Sequence, residues 1–312
     1  MPKTSTPLFL KYYKKDIRNV LTVGTFDGVH LGHQALIQNV VRRAAEKKAP
    51  AVVVTFDPHP RDIINPASDG IRLLTTLFER SEIMKRYGID QMLVIPFTRD
   101  FSMLSSEEFI RSYIYERVGV DTLVIGYDHH FGRDRTGSLQ TLKKLSGELG
   151  FSVYVEEAHE VRHTTISSTV IRRLLEEEGD VETAAEMLGR SYEVSGIVVK
   201  GDQRGRTIGF PTANLDPESK RKVLPANGVY CVEVELQNET FKGMMNIGMR
   251  PTFHHRHIMV PEVHLFDFNR MIYGNKIKVR FLWRIRGERK FSDPDALVRQ
   301  LIKDRKMCKG AS

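Results

Sequence analysis

Short apolar runs punctuate the first half of the chain, and between them apolar positions fall three or four residues apart. VLTVGTF (20–26) precedes a helical pattern over 33–48, AVVVTF (51–56) precedes one over 77–87, and MLVIPF (92–97) precedes one over 107–118. TLVIG (122–126), a helical 138–149 and FSVYVEE (151–157) continue the alternation. Near-continuous apolar strands separated by helices predict a parallel sheet covered on both faces. Ligands of such sheets gather at the carboxyl ends of the strands. The loops after Gly24, Phe56, Phe97 and Gly126 are therefore where chemistry is expected.

A further helix is predicted over 167–178, with Ser168 or Thr169 as its cap and Gly179-Asp180 as its stop, then a short one over 181–188. From about Tyr192 the pattern becomes short alternating strands: YEVSGIVV (192–199), VYCVEVEL (229–236), FKGMMNIG (241–248), PEVHLFDF (261–268) and KIKVRFLWRI (276–285). Several short strands without intervening helices predict a small antiparallel barrel, closed by one covering helix over 293–304. The fold class is thus α/β, a Rossmann-like parallel-sheet domain over 1–185 followed by an antiparallel β-barrel domain over 186–312.

Composition narrows the classes. A length of 312 residues suits two domains, and 41% hydrophobic with 28% charged residues is ordinary for a globular protein. No apolar run reaches the roughly 18 residues of a membrane-spanning helix, and the opening MPKTSTPLFLKYYKK lacks an apolar signal core. Cys231 and Cys308 are far apart and have no metal-like spacing, which predicts a reducing, cytoplasmic setting and no disulfide framework. The net charge of +8 suits either nucleic acid or polyanionic small molecules. Basic residues are spread rather than blocked, and no nucleic-acid module signature occurs, so phosphate ligands and a solvated surface account for the charge better.

The stretch LTVGTFDGVHLGH (21–33) carries the first candidate chemistry. Gly24 closes a strand and Gly32 stands where a helix should begin, and a helix N-terminus offers free N–H groups to phosphate. His30 and His33 face one point if the helix starts between them, where imidazoles can donate to an α-phosphate and a departing pyrophosphate. Gly24, Phe26 and Gly32 are the candidate phosphate-loop residues. A metal reading lacks acids other than Asp27, and a polar loop without function is the plain alternative. ISSTVIRR (166–173) offers a second cradle, with Ser167, Ser168 and Thr169 at a helix start and Arg172 as a fixed cation. Its plain reading is a helix cap and a surface arginine.

In the barrel, GIVVKGDQRGRTIGFPTANL (196–215) brackets a glycine loop with Gly201, Gly205 and Arg206, a candidate backbone-lined phosphate pocket without a Walker signature. Thr212 and Asn214, two apart on an extended segment, are hard oxygen ligands that suit Mg²⁺ delivered with ATP. A hairpin with a proline turn is the alternative. HHRH (254–257) suggests zinc, but no cysteine accompanies it and the spacing fits no structural zinc class.

GTFDGVHLGH, TFDPHP, IGYDHHFGRDRTG and ISSTVIR, in this order, resemble the FMN adenylyltransferase half of bacterial FAD synthetases, within the nucleotidylyltransferase superfamily. The twenty-residue run with PTAN, then NIGMRPTF and EVHLFDF, resembles the riboflavin kinase signature. The resemblance covers about residues 20–304 and implies a bifunctional flavin enzyme: ATP phosphorylates riboflavin to FMN, then a second ATP adenylylates FMN to FAD with release of pyrophosphate. It implies Mg²⁺, with ATP as co-substrate and riboflavin and FMN as partners, and no nucleic acid or membrane. It also implies catalytic roles for His30, His33 and Arg172, and makes Glu262 the base that takes the 5′-hydroxyl proton of riboflavin; periodicity by itself reads Glu262 as an exposed strand residue. Phe56, Pro58, Asp128 and Arg250 are implied to enclose flavin. The chain departs from the family at Asp57, where Glu is frequent, at His129-His130, and at Val170, where Arg is common. His129-His130 and Val170 support the alternative of a kinase whose N-terminal module has become structural or regulatory.

Overall fold

The computed structural model describes residues 6–15, 19–65, 70–126, 139–157, 160–161, 164–201, 204–251 and 257–310. The chain divides into two compact units, Met1–Ser168 and Thr169–Ser312.

The first unit runs through β1 (Leu8–Phe9), β2 (Asn19–Val23), α1 (Leu31–Lys47), β3 (Ala51–Asp57), α2 (Pro60–Ile64), α3 (Leu77–Arg86), β4 (Gln91–Pro96), α4 (Arg99–Ser102), α5 (Ser106–Glu108, continuing as a wider helix over Phe109–Val118), β5 (Val120–Gly126), α6 (Leu139–Leu149) and β6 (Ser152–Glu156). A two-residue pair, β7 (Glu160–Val161) and β8 (Thr164–Thr165), follows. The main sheet has the order β1-β4-β3-β2-β5-β6 with every pair parallel. Alternate residues of one strand serve opposite faces. Leu21, Val23, Val52 and Val54 pack with Phe109, Ile114 and Leu142, while Val20 and Val53 pack with Ile37 and Val40 of α1 and Met84 of α3. The chain leaves β2 toward β3 and β4 on one side and returns to β5 on the other, so the loop after β2 lies at a topological switch point, where such sheets bind ligands.

The second unit follows α7 (Ser168–Arg173, extended by a wider turn over Leu174–Glu178) with α8 (Val181–Leu188), which packs on β9 and β14. Then come β9 (Tyr192–Val199), α9 (Arg204–Thr207), β10 (Ala213–Pro217), β11 (Gly228–Leu236), β12 (Glu239–Pro251), β13 (His257–Leu265), β14 (Lys276–Arg286) and α10 (Pro294–Gly310). The six strands close into an antiparallel barrel in the order β10-β13-β12-β11-β14-β9. Tyr230, Phe281 and Tyr192 meet in its core. On the opposite side of β11, Val229 and Cys231 pack with Met244, Phe266 and the α10 residues Val298, Leu301 and Cys308. A buried ion pair of Arg286 with Asp304 (2.8 Å) fixes α10 to β14.

The cysteines depart from the expectation of free thiols without a disulfide. Cys231 and Cys308, 77 residues apart in sequence, are disulfide-bonded, with their Cα atoms 5.5 Å apart. Sequence separation carries no information about contact, and docking α10 on β11 brings the two together.

Candidate active sites

The first site is built at the end of β2. Gly24 donates its N–H to Val54 O (3.0 Å), and a Cβ there would stand 3.1 Å from the Phe26 ring. That ring is 2% exposed and meets His33 edge-on, with centroids 5.1 Å apart. Phe26, expected among the phosphate-loop residues, thus holds its side chain under an imidazole. α1 begins at Leu31 with Gly32 in its first turn, so its start falls between His30 and His33 as the spacing predicted. His30 is the N-cap; its Nδ1 accepts from the His33 N–H at 3.3 Å. The two rings stack, with centroids 3.6 Å apart and an interplanar angle of 18°. An Nδ1 that accepts a hydrogen bond carries no proton, so the His30 proton resides on Nε2, where it is a donor.

Ser168 belongs to the same unit, and its Oγ donates to the Asp27 carbonyl (2.8 Å). Ser167 is half-buried just before α7. In the second unit Thr169 is exposed, and Arg172, 8% exposed, lies in the last turn of α7. Phe56, next to last in β3, lies within an aromatic cluster, 5.5 Å from Phe97 and 5.8 Å from Phe101 between centroids. Pro58 follows through a cis Asp57–Pro58 bond, and His59 caps α2 by accepting from the Arg61 N–H. Asp128 and His129-His130 lie outside the described residues.

The second site lies on three neighbouring strands of the barrel. Asn214 of β10 stands directly opposite Glu262 of β13, which in turn stands opposite Asn246 of β12. Residues so paired share one face with Cβ atoms about 5 Å apart, so the carboxylate is flanked by two amides. Thr212 Oγ1 donates to Glu262 Oε2 at 3.4 Å. Gly201 is required by close approach, because a Cβ there would lie 2.0 Å from Asn214 Nδ2. At Gly205 a Cβ would lie 2.2 Å from Phe210 O and 3.4 Å from Thr212 Oγ1, so at both glycines the backbone lies close against residues 210–214. The side chains of Arg206 and Arg250 lie outside the described residues, although their backbones run in α9 and β12; 254–256 of HHRH lies outside them altogether.

Sequence reasoning missed His264, two residues beyond Glu262. Its Nδ1 donates to the Pro211 carbonyl at 2.8 Å, which ties β13 to the turn before Thr212. Burial pushes its pKa below the ordinary histidine value, against the opposing pull of the Pro211 bond. Asn246 was also missed, since an amide inside an alternating strand reads as surface; its Nδ2 lies 3.1 Å from where a Gly248 Cβ would be.

Thr212 Oγ1 and Asn214 Oδ1, beside the Glu262 carboxylate, are hard oxygen donors and fit Mg²⁺ rather than a soft metal. Among the described residues no group of three or more His, Cys, Asp or Glu is placed to hold a metal ion.

Comparison with known proteins matches both units. A family model described as FAD synthetase covers residues 13–170, and one described as riboflavin kinase covers 188–311. A bifunctional riboflavin kinase/FMN adenylyltransferase of Bacillus subtilis is 39% identical over 295 residues, covering 94% of this chain and 92% of that protein. Proteins of the same description from Listeria monocytogenes (38%, covering 93% and 91%) and Escherichia coli K12 (37%, covering 91% and 90%) are similar. A crystal structure titled a macrolide-efflux protein from Streptococcus pneumoniae shares the fold, with a TM-score of 0.89 and 34% identity over 97% of each chain. No described helix of this chain is long and apolar enough to cross a membrane.

Proposed function

The chain belongs to the bifunctional riboflavin kinase/FMN adenylyltransferase family, and from that premise we propose how its residues divide the two reactions. The barrel phosphorylates riboflavin, and the parallel-sheet domain adenylylates the FMN that results. We assign the adenylyltransferase to 1–185 and the kinase to 186–312, and place both steps in the cytoplasm.

In the barrel, Glu262 takes the proton from the riboflavin 5′-hydroxyl as that oxygen attacks the γ-phosphorus of ATP, and ADP leaves. The observation that carries this assignment is the position of Glu262 between Asn214 and Asn246, with Thr212 Oγ1 at 3.4 Å. Thr212 and Asn214 would hold Mg²⁺, which when bound offsets the polyphosphate charge. The Gly201–Gly205 loop, with Arg206, receives the phosphates, and Arg250 covers the flavin.

In the first domain, an FMN phosphate oxygen attacks the α-phosphorus of ATP, and pyrophosphate departs. His30 donates from Nε2, the nitrogen left protonated by the His33 N–H bond, and His33 supports the leaving group. Backbone donors at Gly32 and the Ser167–Thr169 turn receive phosphate oxygens, and Arg172 supplies fixed positive charge. Gly24 gives the loop its close approach. Phe56, Pro58 and Asp128 border the flavin.

A time course with riboflavin, ATP and Mg²⁺, resolving FMN from FAD, tests the reading. FMN should rise first and FAD follow. FMN without FAD, also when FMN is supplied, would leave the first domain as a regulatory module.

A further inference from the structure

We propose that Arg80, a residue of α3 outside the motif loops, is a positioning residue for adenylyl transfer that fixes the turn presenting His30 and His33. The inference rests on the roles proposed for those histidines.

The turn between β2 and α1 has an unusual backbone. Phe26 (φ 50°) and Val29 (φ 42°) both occupy the left-handed region without being glycine, on either side of Gly28 (φ 83°). A β-branched residue there is a genuine outlier, and such backbone persists only where surrounding contacts over-determine it. Those contacts converge on Asp27, which is 0% exposed. Its carboxylate accepts from the Leu74 N–H (3.0 Å), the Thr75 N–H (2.9 Å) and Thr75 Oγ1 (3.1 Å). The Gly28 N–H donates back to Thr75 Oγ1 (2.9 Å). The turn is therefore clamped to the segment just before α3.

Arg80 holds the clamp from behind. It is 4% exposed, and its guanidinium lies 3.7 Å from Asp27 Oδ1. The same group donates to Thr75 O and Thr55 Oγ1, each at 3.3 Å, and Thr55 Oγ1 donates to Thr25 O (3.3 Å). One planar cation thus joins β3, the Thr75 segment and both ends of the Thr25–Asp27 stretch, a task that suits the fixed fork of an arginine. Three residues beyond Asp27 the chain reaches His30, whose capping geometry sets where α1 starts.

A buried ion pair is often replaceable without loss of stability, so charge compensation by itself does not require this arrangement. The test uses the full chain with three variants, and kinase turnover serves as the internal reference. R80K keeps the charge and the fold but brings one nitrogen where the guanidinium brings two. FAD formation from supplied FMN should fall about tenfold in kcat with KM for ATP nearly unchanged, because misplacing a reacting group by about 1 Å costs on the order of 100-fold. R80M should lose about 100-fold in kcat on the same scale. D27N/R80M removes both charges, so it should fold even if R80M does not, and should still lose about 100-fold. The proposal is overturned if R80K and the folded double variant keep kcat within about threefold of wild type, or if every loss follows the unfolded fraction. H33A separates the two readings: an active H33A sinks the histidine assignment, whereas an inactive H33A beside a fully active R80K sinks only the role of Arg80.

Discussion

The His33 N–H donates to His30 Nδ1 across the first turn of α1, so the residue that caps the helix is also oriented as a donor at Nε2. Capping and catalysis are then two uses of one ring, and a substitution that keeps the cap separates them. His30→Asn retains a good N-cap acceptor but shortens the outward donor. We expect a thermal midpoint near wild type and FAD formation reduced by roughly 100-fold, the scale of losing one preorganised donor. A circular-dichroism melt paired with the FMN-to-FAD assay reads both. Full activity in a folded His30→Asn would remove the catalytic role.

Glu262 and His33 should give opposite phenotypes. Glu262→Gln keeps the size and the contact with Thr212 but cannot take a proton, so FMN formation should fall by about 10²–10⁴-fold. FAD formation from supplied FMN should continue. His33→Ala should invert the pattern. Loss of both products in either variant would mean that the two chemistries are not carried by separate residue sets.

Gly201 gives a steric handle on the kinase. A methyl group at that position would lie 2.0 Å from Asn214 Nδ2, so the amide must swing away while the barrel strands keep their pairing. Gly201→Ala should raise the Mg²⁺ and ATP concentrations needed for FMN formation by at least about tenfold, the loss of one binding contact, with FAD formation unchanged. Normal Mg²⁺ dependence would show that Asn214 is not a ligand.

Much of the architecture was legible because the parallel strands are buried on both faces and read as continuous apolar runs. The start of α1 between His30 and His33 was equally legible, since glycine and histidine mark it. β10 is legible only as an extended segment, because the PTAN stretch is short and polar; it becomes a strand by pairing with β9 and β13. In the sequence Asp27 reads only as an isolated acid, because its partners Leu74 and Thr75 lie 47 and 48 residues away. Phe26 belongs to a polar glycine-rich loop by its sequence, and that context does not reveal that its ring packs into the core. His264 sits at an alternating strand position that periodicity reads as surface, and its ring is buried against Phe210 and Phe266 beside the Pro211 carbonyl.

His264 should leave a signature in the pH dependence of barrel stability. Burial lowers its pKa from the ordinary 6.5, ahead of the Pro211 bond that raises it, the Arg305 charge that lowers it and the Asp267 charge that raises it. The unfolded chain then binds a proton at higher pH than the folded one, so stability rises with pH inside that window. The contribution is complete above 6.5 and is lost as pH falls below it toward the folded value. His264→Asn keeps an N–H for Pro211 and does not titrate. Urea midpoints measured at about pH 7.5 and 5.5 should fall for wild type and stay nearly level for the variant. Parallel falls in both proteins would assign the slope elsewhere.

The pairing of Cys231 with Cys308 makes the barrel sensitive to reductant. Both side chains are 0% exposed, and the bond joins β11 to α10 across 77 residues. α10 is held independently by Arg286 with Asp304 and by Val298 and Leu301, so reduction should leave the helix docked. What reduction restores is the freedom of a long unfolded loop, about 4 kcal/mol in the chain-entropy account. Denaturant unfolding of the kinase unit should therefore shift to lower urea when dithiothreitol is present, with FMN formation preserved in the folded range. A Cys231→Ala/Cys308→Ala variant should match the reduced wild type and ignore dithiothreitol. Two alkylatable thiols in wild type denatured without reductant, together with an unchanged midpoint, would show that the sulfurs meet in the fold as thiols.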